Sequence, residues 1–260
     1  MIMYRYNNIS AALILVILFL FSCRNDSPQD LSLRPEEYQK LGLPDHIRLW
    51  NLQDYINANI TLSTLKTNFP NSLPRKSSKK SGAVFARLVS GDNLSFMYDK
   101  SMPLHGRAQI IQHFTRFYSE LESIYSVETD VRNYYSDELA DINLFGLLVH
   151  DRMLELAWQI MDSDDEEDRD LQYGLKTVKR NYLNLVDHLL DEQVKSEVYS
   201  DADLDRLSDR LEQSLAVNVS WFLPSERDSV AESIEKAMPE CPTAHIRGNF
   251  NKMLKYLKNS

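Results

Sequence analysis

The sequence predicts an all-α fold, a compact bundle of about six to eight helices, and three observations support this prediction. Glycine is rare, with seven residues in 260, whereas about 7% is usual. No proline lies between residues 104 and 223, and proline in a helix interior costs about 3 kcal/mol. Apolar residues in that stretch recur at spacings of three and four, the period of one helix face.

Two helices are predicted in the first half of the chain. The first begins at Pro44, carries Trp50 and Tyr55 on its apolar side, and ends near Pro70. The second covers residues 106–125. Its apolar side chains step by four and three residues, at Ile110, Phe114, Phe117, Leu121 and Ile124. Both helices should therefore pack one face on a shared core.

The next helix, near residues 138–161, is predicted to be the central and most buried one. Apolar side chains, including Trp158, occupy most of its sides. A helix that is apolar nearly all round is normally surrounded by other elements. We therefore expect Trp158 in the core, and Tyr134 and Tyr135, just ahead of this helix, as candidates for an exposed aromatic contact.

Four more helices are predicted after it, from the same spacing of apolar residues and from capping residues. One covers residues 171–189, and the next starts after Ser200, a favourable N-cap residue, and stops before Pro224. Ser225 with Asp228 resembles a capping box that opens a further helix. A last amphipathic helix closes the chain, which completes the bundle.

The first 22 residues have the layout of a cleaved export signal. Arg5 precedes an apolar run at residues 11–21, and the small Ser22 follows it. A helix that spans a bilayer needs about 20 apolar residues, and this run is shorter. It is therefore predicted to be an export address and not a permanent membrane span.

The residues Leu20-Phe21-Ser22-Cys23 resemble the lipobox of bacterial lipoproteins, with an aliphatic residue at −3, a small residue at −1 and cysteine as the first mature residue. Phe21 departs from the small or aliphatic residue usual at −2. The resemblance covers only residues 1–23. It implies that Cys23 carries a thioether-linked diacylglycerol and a fatty acyl chain such as palmitate on its amino group. Two or three such chains make a lasting membrane anchor.

This resemblance implies a domain organisation and a location. Residues 1–22 are a cleaved lipoprotein signal peptide, residues 23–43 a tether and short N-terminal segment, and residues 44–260 a single helical domain with a basic loop at 71–82. Arg24 stands where an aspartate retains some Gram-negative lipoproteins in the inner membrane, so the outer membrane of the cell envelope is favoured. The alternative is a plain secretory signal with Cys23 as an unmodified thiol.

Charge argues against a nucleic-acid partner. The formal net charge is −9 and residues 130–212 are strongly acidic, whereas nucleic acid is recognised by clustered positive charge. The loop at residues 71–82 is basic and rich in serine, with Arg75, Lys76, Lys79 and Lys80. It could contact anionic lipid headgroups or another protein, and the alternative is a solvated loop.

No catalytic residues, metal site or cofactor are predicted from linear motifs. The acidic run at residues 162–170 spaces its oxygen ligands as an EF-hand does, but Glu167 and Tyr173 replace the required glycine and glutamate. The Glu-x-x-His pairs of a di-metal bundle are missing, as are the common hydrolase and phosphate-loop patterns. The acidic run is interpreted as a solvated, helix-capping loop.

Three candidate binding residues lie together in one loop. Lys100, His105 and Arg107 lead into a helix N-terminus, where free N–H groups and the helix dipole favour a carboxylate or phosphate. In the alternative interpretation Asp99 and Ser101 only cap the loop and the basic side chains are solvated.

A fourth candidate, His150, lies on the central helix beside Asp151. A partly buried imidazole next to a carboxylate could act as a tuned acid or base. The alternative is a hydrogen-bonded core histidine.

Three classes of function remain open. The first and favoured is a membrane-anchored envelope lipoprotein with a non-enzymatic role in protein binding or assembly. The second is an envelope enzyme whose site converges from separate helices, which would require His150 or His105 to meet carboxylates in a pocket. The third is a small-molecule or anion-binding module with a cavity lined by the central helix.

Overall fold

Helix follows helix through almost all of the chain that the structure describes. The computed structural model describes residues 30–127, 134–162, 174–195 and 198–259, and these residues contain no β-strand. Their α-helices are α1 (Pro35–Lys40), α2 (Leu52–Asn68), α3 (Gly82–Leu88), α4 (Leu104–Tyr125), α5 (Ser136–Met161), α6 (Leu175–Lys195), α7 (Asp201–Asn218), α8 (Pro224–Ala237) and α9 (Ala244–Asn259). The predicted all-α bundle is confirmed. The predicted helices are α2 and α4–α9, and the short α1 and α3 are additional.

Helix α5 occupies the centre of the bundle, as predicted. It packs against α4, α6 and α7, and its apolar side chains are almost all buried, with Ile142, Leu147 and Val149 fully so. These helices share one core within the unit Ser32–Ser260.

Helices α4 and α5 pack tightly at Gly146. The ring of Tyr118 lies over this glycine, and a Cβ atom added there would fall 2.6 Å from Tyr118 Cζ. The Tyr118 hydroxyl donates to Asn143 Oδ1 at 2.8 Å, so the ring is fixed at both ends. Glycine is thus required by the space between the two helices.

Two helix starts differ from the prediction. Helix α2 begins at Leu52 and not near Pro44, because Asn51 caps it in an extended conformation and residues 44–50 form no helix. Helix α8 begins at Pro224, where the Glu226 carboxylate accepts from the backbone N–H of Leu223 at 2.7 Å. The predicted pairing of Ser225 with Asp228 was wrong, since Pro224 takes the first helical position and the cap is therefore Leu223, two residues before Ser225.

The aromatic assignments around α5 were also wrong. Tyr135 is fully buried, and its hydroxyl donates to the carbonyl of Pro70 at 2.7 Å. Trp158 is instead 41% exposed and packs against Trp221 with a ring-centroid distance of 3.5 Å. Position along an apolar pattern does not reveal which end of a helix projects beyond its neighbours.

Candidate functional site

A groove with mainly apolar walls opens beside the start of α2. Its volume is about 580 Å³. Its apolar walls come from three separate segments of the chain, as Leu49, Trp50, Leu52, Ile56, Phe96, Met102 and Ile110. Leu49 and Ile56 are 47% and 44% exposed, and Ile60, one turn further along α2, is 64% exposed. We call this candidate site the α2 groove.

The cap of α2 fixes one edge of the groove. Asn51 Oδ1 accepts from the backbone N–H of Asp54 at 3.1 Å, and the Asp54 carboxylate accepts from the N–H of Asn51 at 2.9 Å. Arg48 donates two hydrogen bonds of 2.6 Å to the same carboxylate. The guanidinium therefore holds the pKa of Asp54 below its usual range. This arrangement sets the position of Leu49 in the segment between Arg48 and the helix.

Buried hydrogen bonds hold the floor of the groove. The backbone N–H of Trp50 donates to Asn93 Oδ1 at 2.9 Å, and Asn93 Nδ2 donates to the Tyr55 hydroxyl at 2.6 Å. That hydroxyl donates in turn to the carbonyl of Leu88 at 3.1 Å. This series of hydrogen bonds links α2 to the segment after α3. The groove is thus built on a fixed base and is formed before any partner binds.

The predicted anion loop forms one end of the groove. Met102, which lines the groove, lies between Lys100 and His105. Lys100 is exposed and His105 is half-buried. The Asp99 carboxylate accepts from both the N–H and the hydroxyl of Ser101, at 2.9 Å and 2.6 Å, which lowers the pKa of Asp99. Basic side chains therefore stand next to an apolar wall.

Arg107 is turned towards the protein. One guanidinium nitrogen donates to the carbonyl of Met97 at 2.7 Å. Its Nε is buried and has no hydrogen-bond partner among the described residues. Arg107 therefore braces the loop against the preceding 3-10 segment, Gly91–Tyr98, whereas Lys100 is exposed.

His150 lies apart from this loop, inside the bundle. It is 6% exposed, and its Nδ1 lies 2.9 Å from the carbonyl of Gly146. The centroids of the His150 and Tyr118 rings lie 6.1 Å apart in an edge-to-face arrangement. Burial lowers the pKa of His150. Tyr118 lies eleven residues beyond Arg107 on α4, or about 16 Å along the helix. The candidate histidines therefore do not converge, and the geometry of His150 is that of a core residue.

Asp151, the sequence neighbour of His150, faces a different part of the core. Its carboxylate accepts from Ser214, Asn218 and Arg210 on α7. The Ser214 hydroxyl also lies 2.8 Å from that of Tyr182 on α6. Burial raises the pKa of Asp151, although these donors oppose the shift. The cluster joins three helices, with Ser214 buried and the Asp151–Arg210 pair partly exposed at its edge, and its hydrogen bonds hold these helices together.

Several sequence predictions lie outside the described residues. They are the signal peptide, Cys23 with the tether up to residue 29, and the acidic run beyond Asp162. In the described ranges no three His, Cys, Asp or Glu side chains are arranged to hold a metal ion. A search of the same ranges found no helix with the length and hydropathy to cross a bilayer.

Comparison with protein-family models, with curated proteins and with solved structures found no match to this chain. The candidate site consequently rests on its own geometry. The sequence carried a partial signal for it, because Ile56 and Ile60 lie four residues apart on α2 while the buried Tyr55 and Leu62 lie on another side. A helix with two apolar sides can pack one of them on the core and leave the other exposed.

Proposed function

We propose that this protein is a membrane-anchored lipoprotein of the bacterial envelope whose helical domain binds a partner protein in the α2 groove. Lipidation of Cys23, inferred from the lipobox resemblance, provides the anchor, and the outer membrane is the favoured location. The helical domain supplies recognition and performs no catalysis in this proposal.

The exposed apolar wall of the α2 groove is the observation that supports a binding role. Leu49 and Ile56 are each nearly half exposed next to a structured floor. Fully burying such a side chain stabilises by roughly 1.5–3 kcal/mol, so covering the exposed half of each contributes about 1 kcal/mol. Exposed apolar side chains that are gathered in one groove, and not scattered singly over the surface, are typical of a site that another molecule covers.

An exposed cation at one end of the groove favours one kind of partner segment. Lys100 is exposed beside the groove wall at Met102, whereas the Arg48 guanidinium is already paired with Asp54. An amphipathic segment with apolar anchors and a carboxylate beside them would satisfy both the walls and Lys100. We therefore commit to an apolar peptide segment with acidic flanks, contributed by another envelope protein.

Site-specific photo-crosslinking in intact cells tests the binding role. A photoreactive residue in place of Gln53, which lines the groove, should give one discrete adduct with an envelope protein. The crosslinked peptide should be apolar with acidic flanks. The same residue in place of Val217, which is 74% exposed on α7, provides the control. Adducts that are absent, or identical at both positions, would contradict the proposal.

Matched variants sharpen the same experiment. Ile56→Asp places a charge in the groove wall and should abolish the adduct at position 53, whereas Val217→Asp should leave it unchanged. Both side chains are exposed, so neither change should unfold the bundle. The anchor is tested separately by labelling with radioactive palmitate, which should be lost in Cys23→Ala.

A further inference from the structure

The outer face of α2 is uncharged. It comprises five exposed side chains, Gln53, Ile56, Ile60, Ser63 and Thr67. Residues 55–65 include no Asp, Glu, Lys or Arg, although charged residues make up 26% of the chain. Depletion of charge is typical of the core of a protein interface. The α2 groove extends no further along this helix than Ile56, so the surface suited to a partner is longer than the groove.

Two of the three polar side chains on this face already have partners within the helix. The hydroxyl of Thr67 donates to the carbonyl of Ser63 at 3.0 Å, and Gln53 Nε2 donates to Asn57 Oδ1 at 3.1 Å. A polar group is costly to bury when it loses its hydrogen bonds to water without replacement. Because Thr67 and Gln53 keep a hydrogen bond within α2, a second molecule can cover them at a lower cost.

A second groove, of about 490 Å³, lies against the C-terminal half of the same face. Its small polar walls come from α2 and α4, as Ser63, Thr67, Ser119 and Ser123. Two charged side chains also line it, and the protein already holds both. The Lys66 ammonium donates to the carbonyl of Ser123, and the Glu120 carboxylate accepts from Arg116 at 2.8 Å. The small walls leave room for the side chains of a partner that lies along α2.

The spacing of the outer face matches the seam of a coiled coil. Its five residues are separated by three, four, three and four positions, the repeat along which two helices pack on each other. The opposite side of α2, with Tyr55, Ala58 and Leu62, is buried in the core. The helix therefore presents a two-heptad seam to solvent, where a second helix can insert side chains between Ile56 and Ile60.

The hydrogen-bonding needs of the partner backbone also favour a helix. The backbone groups in the middle of α2 are bonded within that helix, and the described residues contain no β-strand to which a partner strand could be added. An extended segment on this face would leave N–H and C=O groups unpaired against apolar side chains, which is costly. A helical segment pairs these groups internally, so it can cover the same face without that cost.

We propose that the partner segment bound in the α2 groove is a helix that lies along the whole outer face of α2. This inference rests on the proposed function, because it specifies the conformation of the partner segment at the same site. The face extends over about 21 Å from Gln53 to Thr67, so the partner contributes about four helical turns. The carboxylate that pairs with Lys100 lies at the end of this helix that covers the α2 groove.

Photo-crosslinking from two positions of the full-length chain in intact cells tests the conformation of the partner. Benzoylphenylalanine replaces Gln53 in one variant and Thr67 in another, and mass spectrometry identifies the attachment residue in each adduct. The distance of about 21 Å between these positions corresponds to about fourteen residues of a helix but only about six residues of an extended segment. Attachment residues about fourteen positions apart in one partner protein are expected.

A matched pair of variants tests whether the face beyond the groove contributes to binding. Ile60 is 64% exposed and is not part of the groove wall. Ile60→Lys should reduce both adducts at least tenfold, because it places a charge in the seam. Val217→Lys introduces the same charge at a β-branched residue of α7 that is 74% exposed, and it should leave both adducts unchanged. Equal adduct yields in the two variants would overturn the proposal.

The outcomes separate the conformation of the partner from the binding role. An adduct at position 53 alone, or attachment residues about six positions apart, overturns the helical partner and leaves the proposed function standing. An adduct at position 67 alone, or at neither position, overturns binding in the α2 groove and this inference with it. Adducts with a second copy of this chain overturn the assignment to another protein. The fourteen-residue separation together with its loss in Ile60→Lys supports the helical partner.

Discussion

Replacing Gly146 with alanine should destabilise the bundle, although alanine is the better helix former. Exchanging glycine for alanine inside a helix stabilises by about 0.5–1 kcal/mol when space is available. At Gly146 the new Cβ would lie 2.6 Å and 2.7 Å from Cζ and Cδ2 of the Tyr118 ring. Overpacking of this kind costs about 1–3 kcal/mol, and displacing the ring would also break its hydrogen bond to Asn143, worth about 1 kcal/mol.

Gly248 provides the matched control. It is exposed in the middle of α9, and a Cβ added there meets nothing within 4 Å. Gly248→Ala should therefore raise the free energy of unfolding by about 0.5–1 kcal/mol, whereas Gly146→Ala should lower it by about 1–3 kcal/mol. Urea titration followed by circular dichroism measures both. A Gly146→Ala variant as stable as the parent would refute the close approach of α4 and α5.

Two further predictions concern the polar groups of the core. Asp151→Ala should lower the free energy of unfolding by about 3–5 kcal/mol, because Arg210 would keep a partly buried charge without its partner. In the same urea titration the control Asp187→Ala, at an exposed position of α6, should change this free energy little. Burial lowers the pKa of His150 in the folded protein. Below about pH 6.5 the imidazole takes up a proton in the unfolded chain but not in the folded one, so the free energy of unfolding decreases as the pH falls. Urea titrations between pH 7 and pH 5 should show a smaller loss of stability in His150→Gln than in the parent, and equal losses would contradict the buried, neutral imidazole.

Periodicity identified the long helices because their amphipathic pattern repeats over several turns. Helix α4 begins within two residues of the prediction, and α5 does so as well. The start of α2 was missed because Trp50 fits the apolar pattern although it lies before the helix, where its backbone N–H bonds Asn93. That bond joins residues 43 positions apart, and a local pattern cannot report such a contact.

The candidate site was less accessible to sequence reasoning than the fold. The loop with Lys100 and His105 was recognised from its composition, but only the fold shows that Met102 lies in the wall of the α2 groove. His150 was ambiguous in sequence, since the direction of its side chain depends on Tyr118. Features set by contacts within one helix were predictable from the sequence, whereas features set by contacts with a neighbouring helix were not.

The placement of polar groups favours recognition by the surface of the domain. Asp151 accepts from Ser214 on α7, Glu138 accepts from the backbone of Lys76 in the loop, and the His150 ring bonds the carbonyl of Gly146 in its own helix. A group that already has its partners in the core contributes to the uniqueness of the fold and has less freedom to transfer protons to a ligand. Leu49 and Ile56 differ, because nearly half of each side chain stays in solvent and that half adds nothing to the burial that stabilises the core. In the proposed function a second molecule covers this exposed part.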